Sequence, residues 1–182
     1  MSLELPDNTI VYRSSYEHKE YTAARLLQTS LTAPSGNLLL SEALQRKRNR
    51  HVVIVVSDIT RPIPYYSFLP ELLAVIESNG VMRNEIHILV ATGMHRPSTD
   101  AEHIEMFGDY IKKAYRITDH CAEDDSMLVR VEGRSRSGAE IRLNKFYVEA
   151  GFRIVTGLVE PHFMAGFSGG RKSVCPGLAS ID

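Results

Sequence analysis

Three polar loops carry the residues of this chain that could do chemistry. Ser57-Asp-Ile-Thr-Arg-Pro62 offers Asp58, Thr60 and Arg61, and Ala91-Thr-Gly-Met-His-Arg-Pro97 offers His95 and Arg96. The third, from Glu160 to Leu178, holds His162, Arg171 and Lys172 among four glycines and two prolines. Two histidines on separate loops can act as opposed proton acceptors, because an imidazole titrates near neutrality. An arginine can grip a carboxylate or phosphate through two parallel hydrogen bonds. A lysine can be a nucleophile, a phosphate ligand or a covalent anchor. Glycines let backbone N–H groups approach a phosphate closely.

Each feature also has a plainer explanation. The glycine stretch could be a tight connection with ordinary turn glycines, and Asp58 could cap a helix or order its own turn. Thr60-Arg-Pro62 could open a helix with proline in its first turn. His18, His51, His87, His103 and His120 stand in no motif and read as structural or surface residues. Neither Cys121 beside His120 nor Cys175 has the spacing of a zinc site, and Cys175 reads as a small packing residue. Ser168-Gly-Gly-Arg-Lys172 lacks the spacing of a P-loop. Gly166-Phe-Ser-Gly-Gly170 does match a nucleophile elbow, but an elbow needs its serine directly after a strand, and Val159 lies nine residues earlier.

The elements that must position these loops follow from periodicity. His51-Val-Val-Ile-Val-Val56 and Glu85 to Ala91 are short, β-branched apolar runs, as expected of parallel strands buried on both faces. Between them, Tyr66 to Asn79 carries a helical apolar stripe closed by Gly80. Ser98 or Thr99 can cap a further helix. The apolar run Arg153 to Val159 reads as another buried strand. Alternation of strand, polar loop and helix predicts βαβ units with right-handed crossovers. If the strands are neighbours, the three loops share the carboxyl edge, where open α/β sheets bind ligands.

The remaining stretches are less regular. Short strands near 115–118, 127–131 and 140–143, with a hairpin turn at Ser135 to Gly138, read as an antiparallel excursion around 115–143 that could pair with an opening strand, Thr9 to Tyr12. Tyr21 to Ser30 and Leu38 to Gln45, the latter with Ser41 as an alternative cap, have helical content, and Lys145 to Ala150 reads as a short helix. Arg46 to Arg50 is either a phosphate site or, the favoured reading, a solvated helix end where cations suit the dipole. The expected fold is α/β, a largely parallel Rossmann-like sheet flanked by helices.

At 182 residues the chain suffices for one domain with a sizeable core. Its 21 Lys and Arg nearly balance 22 Asp and Glu, which gives no support for nucleic-acid or membrane partners. Two distant cysteines point to a reducing cytosol rather than a disulfide framework. No signal-peptide pattern opens the chain.

Taken together and in order, the three loops resemble the N-terminal domain of the lactate racemase (LarA) family, over a stretch from about Val11 to the last residue. The resemblance implies a nickel-pincer nucleotide, a pyridinium-derived cofactor that holds nickel through carbon and sulfur. It implies that Lys172 carries this cofactor as a thioamide. His95 and His162 would then be the paired bases, and Arg61 would contact and polarise the substrate. Asp58, Thr60 and the Ser168-Gly169-Gly170 backbone would hold the nucleotide and phosphate. The implied reaction is racemisation of a short 2-hydroxy acid by proton-coupled hydride transfer, with cofactor-synthesis enzymes as partners. Family members continue into a second α/β domain and carry a nickel-ligating histidine soon after the lysine. On that comparison residues 1–182 are expected to be an N-terminal piece, inactive alone, with its metal ligand beyond Asp182. A nucleotide- or phosphate-binding module without catalysis is the alternative.

Overall fold

The computed structural model of the chain describes residues 6–10, 22–36, 38–46, 49–136 and 138–181. In chain order the elements are α1 (Ala23–Thr32), α2 (Leu40–Gln45), β1 (Val52–Ser57), α3 (Tyr65–Ser78), β2 (Ile86–Ala91), α4 (Asp100–Ala114) and β3 (Arg116–Asp119). After these come β4 (Leu128–Arg134), β5 (Glu140–Asn144), α5 (Lys145–Glu149), β6 (Phe152–Val155), β7 (Pro161–His162) and β8 (Gly166–Phe167). The main sheet has the order β3-β2-β1-β6, and all its pairings are parallel.

Period-two alternation sorts the strand residues onto two faces. Val52, Ile54, Val56, Ile86, Ile88 and Val90 face a core built with Leu69, Leu73 and Ile76 of α3 and Met106, Phe107 and Ile111 of α4. Val53, Val55 and Leu89 face the other way, onto Ala150, Leu178, Phe146 and Tyr147. Burying each Val, Leu or Ile stabilises the fold by roughly 1.5–3 kcal/mol, which is why the β-branched runs sit at the centre of the sheet. Thr99 caps α4 and forms a capping box with Glu102. Gly108, at φ +81°, breaks that helix near its middle.

From β1 the chain steps outward through α3 to β2 and through α4 to β3, with both helices on one face. It then returns to insert β6 on the other side of β1. Strand order therefore reverses between β1 and β6, and that crevice is where open α/β sheets bind ligands.

Several expectations need correction. Residues 115–118 do not belong to an antiparallel excursion: β3 pairs in parallel with β2, because α4 returns the chain on the same face as α3. The antiparallel part is the β4–β5 hairpin alone, which meets other strand-like backbone through a bridge from Leu143 to Ala179. Of the opening segment expected to pair with it, Thr9 and Ile10 are not in a strand, and Val11 and Tyr12 lie outside the described residues. The last parallel strand ends at Val155, not Val159. There Thr156 uses both its N–H and its hydroxyl on the Val55 carbonyl, the chain peels away, and Val159 is exposed. Ser41 lies inside α2, which has no side-chain cap. Ser98 is turned to Asp119 instead of capping α4. Cys175 is exposed, so it is not a packing residue. Of the basic run, Lys47 and Arg48 lie outside the described residues, as does His18.

Candidate active site

The loop after β1 starts with a self-contained turn. Oδ1 of Asp58 accepts the Thr60 N–H at 3.1 Å and the Thr60 hydroxyl at 2.5 Å. The Asp58 carbonyl accepts the Arg61 N–H. These bonds hold the buried Asp58 and fix the path of the chain up to Arg61, a half-buried residue with no ion pair among the described residues.

The loop after β2 delivers His95 onto the remaining carboxylate oxygen. Nδ1 of His95 lies 2.5 Å from Oδ2 of Asp58. A carboxylate accepts only, so a neutral His95 carries its hydrogen on Nδ1 and leaves a lone pair on Nε2. Arg96 points away: it pairs with Glu102 at 2.6 Å and holds that carboxyl down to about 2.

The segment after β6 is shaped by Ser168. This buried hydroxyl donates to the Leu158 carbonyl at 2.6 Å and accepts the Glu160 N–H at 3.0 Å, so it closes the base of the β7–β8 hairpin. A serine committed in this way is no elbow nucleophile. Gly169 has φ +69°, and a Cβ there would lie 2.9 Å from the Leu158 carbonyl oxygen, so only glycine fits without a shift. Gly177 is needed for closeness: its Cβ would lie 2.4 Å from the Ser173 carbonyl oxygen. His162 accepts the Met164 and Ala165 N–H groups at Nδ1, each at 3.2 Å, which puts the hydrogen of the neutral ring on Nε2. That nitrogen meets Nζ of Lys172.

The three loops enclose a cavity of about 260 Å³. Ser57, Asp58 and Arg61 line it from the first loop, Thr92, Gly93 and His95 from the second, and Leu158, Ser168, Gly169, Lys172 and Gly177 from the third. The carboxyl-edge convergence expected from the strand pattern is thus present. Thr60, Gly170 and Arg171 lie outside the lining, and His162 reaches it only through Lys172. Sequence reading missed Ser57, Thr92, Ser173, Pro176 and Gly177 as wall residues. It also missed Asp58 as the partner of His95, a pair 37 positions apart that no local spacing could reveal. Among the described residues, no three His, Cys, Asp or Glu side chains are grouped so as to hold a metal ion.

A parallel α/β sheet thus brings a carboxylate-held histidine, an arginine with no ion pair among the described residues, and a lysine to one cavity at its switch point. The chain belongs to the lactate racemase family: the lactate racemase N-terminal domain matches it over residues 1–182. It is 40% identical over 171 residues to a lactate racemase of Lactiplantibacillus plantarum, covering 94% of this chain and 39% of that protein. With a lactate racemase of Thermoanaerobacterium thermosaccharolyticum the identity is 35% over 185 residues, covering all of this chain and 42% of the relative. The solved lactate racemase apoprotein from that organism superposes with a TM-score of 0.80 over 87% of this chain and 37% of its own. A Thermotoga maritima protein of 23% identity shares the fold, with a TM-score of 0.58 over 78% of this chain and 37% of its own. The chain spans about two-fifths of the length of the lactate racemases it matches. Among the described residues, no helix is long and apolar enough to cross a membrane.

Proposed function

We propose that this chain is the cofactor-anchoring part of a racemase or epimerase of a short, lactate-like 2-hydroxy acid. The observation that carries the proposal is the pairing of Asp58 with His95 in the cavity that Lys172 also lines. Inversion at a carbon needs proton-transfer groups on both faces of the substrate. Here His95 presents a lone pair at Nε2 to the cavity, while His162, on a different loop, stands behind Lys172, whose Nζ meets its Nε2. His95 would act on the substrate directly and His162 once Lys172 is engaged elsewhere, so that each ring would serve one enantiomer.

The side chains present suit a nickel-pincer nucleotide in part. Gly169 and Gly170, both at positive φ, expose backbone, and the space above Gly170 is open. The Lys172 amine is the group for a covalent tether. The described residues supply no cluster for the metal itself. When bound, such a cofactor would supply a hydride acceptor for the substrate α-carbon. The protein's own work is then to bind and to move protons. Arg61 would hold the substrate by two parallel hydrogen bonds, His95 would take the hydroxyl proton at Nε2, and the Asp58 carboxylate would stabilise the imidazolium that forms. Only interactions stronger in the transition state than in the bound substrate speed this exchange.

The test is intact and peptide mass spectrometry of the full-length protein produced with cofactor-synthesis enzymes. A mass increment on Lys172, bound nickel and interconversion of D- and L-lactate with retention of the α-hydrogen are expected, because the hydride returns to the carbon it left. Nucleotide binding without an adduct or racemisation would instead identify a non-catalytic nucleotide-binding module.

A further inference from the structure

His120 stands outside the cavity, yet it touches both loops that matter most. It is fully buried. Its ring Nε2 donates to the Ala179 carbonyl at 2.9 Å, and its Nδ1 accepts the Asn144 amide at 3.1 Å. The amide is fixed in that sense because its oxygen accepts the Phe146 N–H. The backbone of His120 is equally committed: its carbonyl accepts the Thr92 hydroxyl at 2.6 Å and its N–H donates to Val90. Burial holds the ring below its ordinary pKa, so both nitrogens keep these roles at neutral pH.

Thr92 opens the loop that carries His95. Leu178 and Ala179 directly follow the turn that carries Lys172, and that turn is closed by the Gly177 N–H on the Lys172 carbonyl. The two loops also touch each other through the Gly93 N–H on the Gly177 carbonyl at 3.0 Å, and Asn144 donates its own N–H to Leu178. We infer that His120 is a positioning residue that ties the His95 loop to the Lys172 segment and so sets the spacing across the cavity. The inference rests on reading His95 and Lys172 as the working groups. A residue that merely filled space would be replaceable by an apolar side chain of similar size. Its ring nitrogens hold Ala179 and Asn144 while its backbone carbonyl holds Thr92, so losing the ring should loosen the Lys172 segment and, through the Gly93–Gly177 contact, the His95 loop, and leave the sheet intact.

Native-state hydrogen exchange on the full-length protein tests this. In His120→Leu, the amides of Gly93, Asn144 and Ala179 are expected to exchange about tenfold faster or more, while those of Val53 to Val56 keep their rates. His120→Gln keeps a donor within reach of the Ala179 carbonyl and should bring the rates back to within about threefold of wild type. Wild-type rates at Gly93 and Ala179 in the leucine variant overturn the inference. So does equal acceleration across the sheet, or a glutamine variant no better than leucine. Should the leucine variant not fold, Thr92→Val removes one hydroxyl from the same joint. Faster exchange at Gly93 with an unaltered sheet then supports the inference, and no change there overturns it. Hydrogen exchange reads no turnover, so a missing Lys172 adduct would sink the racemase proposal and leave this one standing.

Discussion

Nδ1 of His95 lies 2.5 Å from Oδ2 of Asp58, and the other oxygen of that carboxylate is taken by Thr60. One buried acid thereby fixes the turn that leads to Arg61 and the tautomer of a histidine on the neighbouring loop. Asp58→Asn keeps the shape and loses the constraint, since an amide can offer N–H where the ring needs an acceptor. In the full-length, cofactor-loaded protein the racemisation rate should fall about 100-fold or more. Nitrogen NMR of His95 should show loss of the Nδ1–H tautomer. A tautomer and rate both unchanged would separate Asp58 from the chemistry.

Gly169 and Gly170 make a matched pair for substitution. Both have positive φ, but a Cβ at Gly169 would press on the Leu158 carbonyl oxygen while one at Gly170 meets open space. Gly169→Ala should destabilise the chain by roughly 2–3 kcal/mol and Gly170→Ala by about 1 kcal/mol. Urea unfolding of the two variants measures the difference, and equal costs would refute the close contact as the cause.

Ser168→Ala removes the hydroxyl that holds the Leu158 carbonyl and the Glu160 N–H. Two backbone groups at the base of the hairpin lose their side-chain partner, at a cost of about 1–3 kcal/mol. Faster proteolysis between Val159 and Phe167, ahead of cleavage elsewhere, is the expected sign of the opened hairpin. A cleavage pattern like that of wild type would rule this out.

Stability should decline as pH falls from about 6.5. Burial pushes His87 down to about 4, with Arg116 adding to the effect, and burial also lowers His120. Above pH 6.5 these rings are neutral in the folded and the unfolded chain alike. Below it the unfolded chain takes up protons that the folded chain refuses, so stability drains away through the window down to about pH 4. His87 alone accounts for a loss on the order of 3 kcal/mol there. Urea midpoints measured at pH 7, 5.5 and 4.5 check the slope, and His87→Gln should flatten it. A midpoint independent of pH over that range would show that neither ring is held neutral.

Local patterning made some of this legible and hid the rest. The β-branched runs of β1 and β2 and the stripe of α3 announced themselves, because burial on both strand faces and a 3.6-residue period leave signatures within a few residues. β3 did not. It is four residues long, polar in part, and its parallel partner is set by the crossover of α4 rather than by its own composition. The fate of Val159 was equally hidden: an apolar residue after a strand looks like more strand, and only the hold of Thr156 on Val55 ends it. In the site, loop membership was legible from residue types. Partnership was not, since Asp58 with His95 and Lys172 with His162 are meetings made by the fold.

The insertion of β6 beside β1 also sets when this site can exist. Thr156 and Val55, which close that pairing, are 101 positions apart in the chain. The loop to be closed spans α3, α4 and the β4–β5 hairpin, so its entropy is recovered only when the last parallel strand docks. His95 can meet Asp58 as soon as β1 and β2 pair, but Lys172 has no fixed place until β6 arrives. A chain stalled before that docking would hold a paired His95 with no fixed Lys172 beside it.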